Sequence, residues 1–84
     1  MKKTDFILKI QVPPEDWGIE GKFEISAWKG KYQVDEHITD LFPELDALGE
    51  IGDLTEGSME YWGDLSIEEL EKELIGMGFK TQLI

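Results

Sequence analysis

The sequence predicts an α+β fold, in which residues 1–84 form a single acidic domain around one mixed, mostly antiparallel sheet of about five strands. Three observations lead to this prediction. Apolar and polar residues alternate near the start of the chain and again over residues 22–34, which is the period of a strand with one buried face. From residue 35 the apolar spacing becomes helical. A capped helix over residues 66–77 precedes a last alternating segment. A chain of 84 residues is too short for two stable cores.

The first strand is predicted from Phe6 to Val12, where alternate residues are apolar. Pro13 and Pro14 end it, because a residue without an N–H group cannot continue a hydrogen-bonded ladder. A loop over residues 15–21 follows. It contains Trp17, for which the sequence pattern predicts no role.

A β-hairpin is predicted over residues 22–34, with Lys29 and Gly30 as its two-residue turn. Glycine supplies the positive φ angle that short hairpin turns require. This turn places the apolar residues of both strands on one face. The predicted pairs are Trp28 with Lys31, Ala27 with Tyr32, and Ile25 with Val34.

Residues 35–48 are predicted to form a short, broken helical segment. Its apolar residues have helical spacing, but Pro43 removes a backbone hydrogen bond and favours an extended Phe42. A second turn starting at Pro43 is expected to end at Gly49. Residues 51–57 contain two glycines and are predicted to be a loop, which is followed by a strand over residues 58–62.

The C-terminal helix has the clearest local signal. Ser66 and Glu69 form a capping box, Leu65 and Leu70 a hydrophobic staple, and Gly78 suits the left-handed position that ends a helix. The expected buried stripe is Ile67, Leu70, Leu74, Ile75 and Met77. Strand 58–62, this helix and a last strand over residues 79–84 fit a strand–helix–strand unit.

The negative charge is concentrated in residues 35–73. The chain has 19 acidic residues and 8 lysines, a net charge of −11, and this stretch holds 14 of the acids with Lys72 as its single base. Such a chain lacks the basic surface that direct binding to nucleic acid or to anionic membranes needs. The lack of cysteine, of a signal peptide and of a long apolar run favours a cytoplasmic location.

No residue pattern indicates an enzyme, so we expect no catalytic residue, no metal site and no cofactor. His37 is the single histidine and is best explained as a solvated residue at a helix start. The segment from Asp53 to Gly57 does not have the spacing of a calcium-binding loop. Carboxylates are so frequent that no pair of them indicates acid–base catalysis.

Aromatic residues are the candidate anchors for a partner. Trp28, Tyr61 and Trp62 are predicted to lie on or next to the strand face that carries Glu24 and Glu60, and Trp and Tyr are frequent at the energetic centres of interfaces. The alternative is that these large side chains only close the second face of a thin sheet.

Acidic residues recur every two to four positions and are the candidate electrostatic contacts. They are Asp40, Glu44, Asp46, Glu50, Asp53, Glu56, Glu60 and Asp64. Solubility alone does not require the two signs of charge to be segregated, and unpaired like charges repel one another. The pattern therefore favours a small binding module that docks on a basic surface of a partner protein.

Such a partner would be, for example, a nucleic-acid-binding protein. The module would then be an inhibitor or nucleic-acid mimic, such as a phage counter-defence, immunity or nuclease-inhibitor protein. The alternative is a small structural or regulatory subunit whose acidic surface serves only solubility. The sequence leaves the partner and the oligomeric state open, and no motif is specific enough to identify a family.

Overall fold

A computed structural model describes residues 2–84 and shows a six-stranded mixed sheet with helices on one face. The strands are β1 (Ile7–Gln11), β2 (Phe23–Lys29), β3 (Tyr32–Gln33), β4 (Ile51–Thr55), β5 (Ser58–Tyr61) and β6 (Lys80–Leu83). The helices are α1 (Ile38–Leu41) and α2 (Ile67–Gly76), with 3-10 turns at Lys3–Asp5, Glu15–Trp17 and Pro43–Leu48. The predicted α+β class is confirmed.

The strand order is β4-β5-β2-β1-β6, and the short β3 pairs with the end of β2. Neighbouring strands are antiparallel except β1 and β6, which run parallel. It follows that β5 and β6 run in the same direction, with β2 and β1 between them, and that α2 connects them. The predicted strand–helix–strand unit is therefore present, but its two strands are not neighbours.

The core lies between the helices and one face of the sheet. Leu8, Ile10, Ile25 and Met59 are fully buried on the sheet side, and they form one cluster with Leu70 and Leu74 of α2, Ile38 of α1 and Leu45. Ile75, which we expected in the buried stripe, is 54% exposed. It follows Leu74 directly and so points about 100° away around the helix axis.

The ends of α2 follow the sequence signals. The Ser66 hydroxyl accepts a hydrogen bond from the Glu69 N–H, and the Glu69 carboxylate accepts one from the Ser66 N–H, which completes the capping box. Gly78 has a φ angle of 97° beyond the helix end. The broken middle segment is also confirmed, because α1 ends before Phe42 and a 3-10 turn begins at Pro43.

The predicted hairpin forms, but its turn is one residue later than expected. Lys29 pairs with Tyr32 and Trp28 with Gln33, so Gly30 and Lys31 are the two turn residues. Gly30 has a φ angle of 61° and occupies the first central position, where a type II′ turn takes glycine. The predicted turn would have put Lys29 at that position, with a positive φ angle that a lysine rarely adopts. Tyr32 is consequently 79% exposed beyond the core.

Residues 51–57, predicted to be a loop, instead form β4 and a tight turn into β5. Ile51 pairs with Tyr61 and Thr55 with Ser58, with a bulge between Asp53 and Thr55. The two glycines that suggested a loop have structural roles. A methyl group at Gly52 would lie 3.0 Å from the Trp62 ring. Gly57 has a φ angle of 74°, and a methyl group there would collide with the Val34 carbonyl oxygen. This added strand raises the count from five to six.

Candidate functional site

The sheet face opposite the helices, here called the open face, carries polar residues at its centre. Across β1, β2, β5 and β4, one row is Gln11, Glu24, Glu60 and Gly52, and the next is Lys9, Ser26, Ser58 and Thr55. Glu24, Ser26 and Ser58 are buried although the helices pack on the other face. The loop between β1 and β2 lies beside these rows, because Trp17 and Ile19 line a groove together with Ser58 and Glu60.

Glu24 is the most enclosed acidic side chain of this face, with 7% of its surface exposed. Its carboxylate accepts hydrogen bonds from the Ser58 hydroxyl at 3.1 Å and from the Gln11 amide at 3.5 Å. Glu60 lies directly opposite it on β5. Two glutamates therefore occupy opposite positions on neighbouring strands, which places negative charge at the floor of the open face.

A groove of about 640 Å³ lies next to this pair. Trp17, Ile19 and Leu54 form its apolar wall, and Glu20 and Glu60 are its acidic residues. A second depression of about 360 Å³ is lined by the same two glutamates and by Trp62. Glu20 and Glu60 thus line both depressions, one of them beside Trp17 and the other beside Trp62.

The predicted aromatic anchors have three different environments. Trp28 and Trp62 lie on the open face, as expected, but the Trp28 N–H donates to the Ser26 hydroxyl and Lys9 Nζ lies 4.2 Å from the Trp28 ring centroid. Trp62 is 45% exposed and packs against Gly52. Tyr61 is buried in the core, where its hydroxyl accepts a hydrogen bond from the Leu65 N–H. Of the three, Trp62 is the side chain best placed to contact a partner.

Three of the predicted acidic contacts follow the outer strand of the sheet. Glu50 precedes β4, Asp53 lies within it and Glu56 is in the turn after it; all three are exposed, and we call them the acidic edge. At about 3.3 Å per residue the acidic edge extends over about 20 Å. None of the three forms an ion pair with another residue of the described chain.

Two further acidic residues adjoin the acidic edge. Asp40 follows Thr39, whose hydroxyl donates to the Asp53 carboxylate at 2.5 Å. Asp64 lines a shallow depression together with Glu50. Asp40 is therefore near Asp53 in the middle of the acidic edge, and Asp64 is near Glu50 at its start.

The other predicted acidic contacts lie apart from the acidic edge. Glu44 forms a 2.6 Å salt bridge with Lys3, and hydrogen bonding to Lys3 holds the pKa of the Glu44 carboxyl below its usual range. Asp46 is exposed on the 3-10 turn, with no contact that places it at the edge. Glu60 belongs to the groove on the open face.

His37 is exposed at the start of α1 and makes no side-chain capping bond. Within residues 2–84, no three His, Cys, Asp or Glu side chains are grouped as metal ligands would be. None of the helices in this range is long and apolar enough to cross a membrane.

Sequence reasoning missed the groove, because its residues come from separate segments. Trp17 and Glu20 lie in the loop after β1, Leu54 at the β4 bulge and Glu60 on β5. One signal for the groove was present in the sequence. Trp17 lies in a loop in which Gly18 and Gly21 flank Ile19 and the acidic residue Glu20. A large aromatic ring in such a loop is a candidate wall for a nearby depression.

No protein-family model matches the chain, and no curated protein or solved structure shows significant similarity to it. The surfaces described above are therefore the features that bear on its function.

Proposed function

We propose that this protein is a small acidic binding module that docks on a basic surface of a partner protein. The acidic edge is the observation that supports this proposal most strongly. Its carboxylates lie along the outer strand of a folded sheet and lack lysine partners within residues 2–84. A docked Lys or Arg side chain would supply the missing cations.

The folded geometry makes the charge useful for recognition. Glu50 and Glu56 are fixed at the two ends of β4, because the Glu50 carbonyl accepts from the Trp62 N–H at 2.9 Å and the Gly57 N–H donates to the Glu36 carbonyl at 2.7 Å. Carboxylates carried on an ordered backbone attract a basic surface at long range and accelerate association. Trp62, on the adjacent strand end, would supply apolar contact area.

A basic protein surface that accepts this edge is often one that binds nucleic acid. The proposed module would then act as an inhibitor or nucleic-acid mimic of the phage counter-defence, immunity or nuclease-inhibitor kind. In that case, DNA or RNA and this protein would compete for the same site on the partner.

The proposal is tested by affinity capture from a host lysate, followed by affinity measurements with the captured protein. One variant neutralises the acidic edge with the isosteric changes Glu50→Gln, Asp53→Asn and Glu56→Gln. Its matched control changes the same total charge elsewhere, with Glu15→Gln, Asp16→Asn and Glu68→Gln, all at exposed positions. We expect the edge variant to lose the partner and the control to keep it, and equal losses would contradict the proposal.

A structural or regulatory subunit is the second candidate function, because one end of the sheet exposes apolar side chains. Val12 is 66% exposed beyond the end of β1, and Leu83 and Ile84 are 40% and 67% exposed at the end of β6. The two ends adjoin, since the Ile84 N–H donates to the Ile10 carbonyl. Size-exclusion chromatography at two concentrations would detect self-association through this end. Under this alternative, charge reversal at Glu56 and Glu60 would leave function unchanged.

A further inference from the structure

We infer that the groove beside Trp17, together with the adjoining depression beside Trp62, is a binding site for an arginine side chain presented by the partner. This inference rests on the proposed function and names the group that the module would recognise. The groove has the Trp17 ring, an apolar wall and two carboxylates, Glu20 and Glu60, and the same carboxylates line the depression beside Trp62.

The shape of the groove suits a long side chain with a charged end. Trp17, Ile19 and Leu54 provide apolar surface for a methylene stem, and the glutamates lie where the cationic group would be placed. Lysine and arginine both bury their stems against apolar surface while the charged end reaches a polar partner. A volume of about 640 Å³ is ample for one such side chain.

The chemistry favours arginine over lysine. A guanidinium group is planar, donates two parallel hydrogen bonds to one carboxylate and stacks on an indole ring, whereas an ammonium group is a compact and strongly hydrated charge. Trp17 and Trp62 border the two depressions that share Glu20 and Glu60. The site thus offers stacking surface and carboxylate acceptors together.

Within residues 2–84, neither Glu20 nor Glu60 forms a salt bridge. Lys22 Nζ donates to the Leu65 carbonyl at 3.0 Å, and Lys9 Nζ lies over the Trp28 ring. Glu24, directly opposite Glu60, adds to the negative potential. A bound guanidinium group would reduce the repulsion among these carboxylates.

Glu60 is also held in position by the close approach of Gly21. A methyl group at Gly21 would lie 2.7 Å from Glu60 Cβ and 3.2 Å from its carboxylate oxygen Oε2. The glycine therefore leaves the space that the Glu60 side chain occupies. This packing places the carboxylate beside the segment that carries Trp17 and Glu20.

The experiment is a titration of the full chain with N-acetyl-arginine amide, followed by the NMR signals of the three indole N–H groups. We expect saturable shifts at Trp17 and Trp62 and none at Trp28, whose N–H and ring already have partners. N-acetyl-lysine amide should bind more weakly. Glu60→Gln should lower the affinity for the arginine amide about tenfold.

Glu68→Gln is the matched control, because it removes the same charge from an exposed position on α2, outside both the groove and the acidic edge. It should change the affinity less than about twofold. Equal effects of Glu68→Gln and Glu60→Gln, or the absence of saturable shifts at Trp17 and Trp62, would overturn the inference. If the inference fails but the Glu50→Gln, Asp53→Asn, Glu56→Gln variant still loses the partner, the arginine site alone is rejected and the proposed function stands. If the arginine amide binds but neutralising the edge does not weaken partner binding, the proposed function alone is rejected.

Discussion

Glu24 and Glu60 lie directly opposite each other on β2 and β5, although both are acidic and Glu24 is almost fully buried. Like charges at directly opposite strand positions destabilise a sheet. The hydrogen bonds from Ser58 and Gln11 offset part of this cost for Glu24. An arrangement that lowers stability on the face that carries a groove is typical of surfaces used for binding.

Replacing Glu60 by Gln should stabilise the folded protein, because it removes the repulsion with Glu24 while keeping the shape of the side chain. We expect the free energy of unfolding to rise by about 0.5 kcal/mol. Urea denaturation of Glu60→Gln and of the exposed control Glu56→Gln would measure this difference. Destabilisation by Glu60→Gln would show that its carboxylate makes a favourable contact instead.

Replacing Gly57 by Ala should disrupt the turn between β4 and β5. A methyl group there would collide with the Val34 carbonyl oxygen, and the φ angle of 74° is unfavourable for alanine. We expect a loss of more than about 2 kcal/mol.

Gly76→Ala is the matched control, since beyond the neighbouring backbone of α2 nothing lies within 4 Å of the added methyl group. This change should stabilise the protein by up to about 1 kcal/mol. Thermal unfolding of both variants tests the pair. A Gly57→Ala protein as stable as the parent would contradict the described turn.

The Ser66→Ala variant should lose the half of the capping box in which the Ser66 hydroxyl accepts a hydrogen bond from the Glu69 N–H. Removing a serine N-cap costs about 1 kcal/mol. Thermal unfolding should therefore show a lower midpoint for Ser66→Ala. The exposed neighbour Glu68→Gln is the control, and an equal fall in both variants would argue against a specific cap.

The other half of the capping box should be sensitive to pH. Hydrogen bonds from Ser66, first of all from its backbone N–H, lower the pKa of Glu69 below its ordinary value of 4.5. A lowered pKa stabilises the folded state fully above pH 4.5, and this contribution is lost as the pH falls through the folded-state pKa. The stability difference between the parent and Glu69→Gln should therefore shrink on acidification. A constant difference from neutral to acidic pH would contradict this expectation.

Lys3 should stabilise the C-terminal end of α2, because its Nζ donates to the Met77 carbonyl at 2.7 Å and the last turn of the helix has no basic residue of its own. Lys3→Met keeps much of the stem but removes the charge, and it should cost about 1 kcal/mol. NMR titration should also show the pKa of Glu44 rising towards 4.5 in this variant. Lys31→Met, in the exposed hairpin turn, is the control, and an unchanged Glu44 pKa would contradict the ion pair.

Local signals in the sequence predicted local structure well. The Ser66–Glu69 capping box gave the start of α2, and Pro43 gave the break after α1, because both act through backbone atoms a few residues away. Gly52 and Gly57 misled the prediction for β4. Gly52 makes room for the Trp62 ring, a contact between residues on different strands that the local pattern does not show.

The two candidate sites differ in the same respect, because the local sequence indicates the acidic edge but not the groove. The acidic edge lies within seven consecutive residues, so its charge was visible in the sequence, although the strand that orders it was not. The groove joins Trp17 and Glu20 to Glu60, some 40 residues further along the chain, through the pairing of β2 with β5. Tyr61 is buried in the core while Trp62, its neighbour, is 45% exposed on the open face.

The role of the acidic edge is tested most directly by the salt dependence of partner affinity. The captured partner is titrated with the parent chain and with the Glu50→Gln, Asp53→Asn, Glu56→Gln variant at low and at high salt. We predict that the parent's affinity falls steeply with salt and that the variant binds weakly with a much smaller salt dependence. Tight binding by both proteins, unaffected by salt, would contradict docking through the acidic edge.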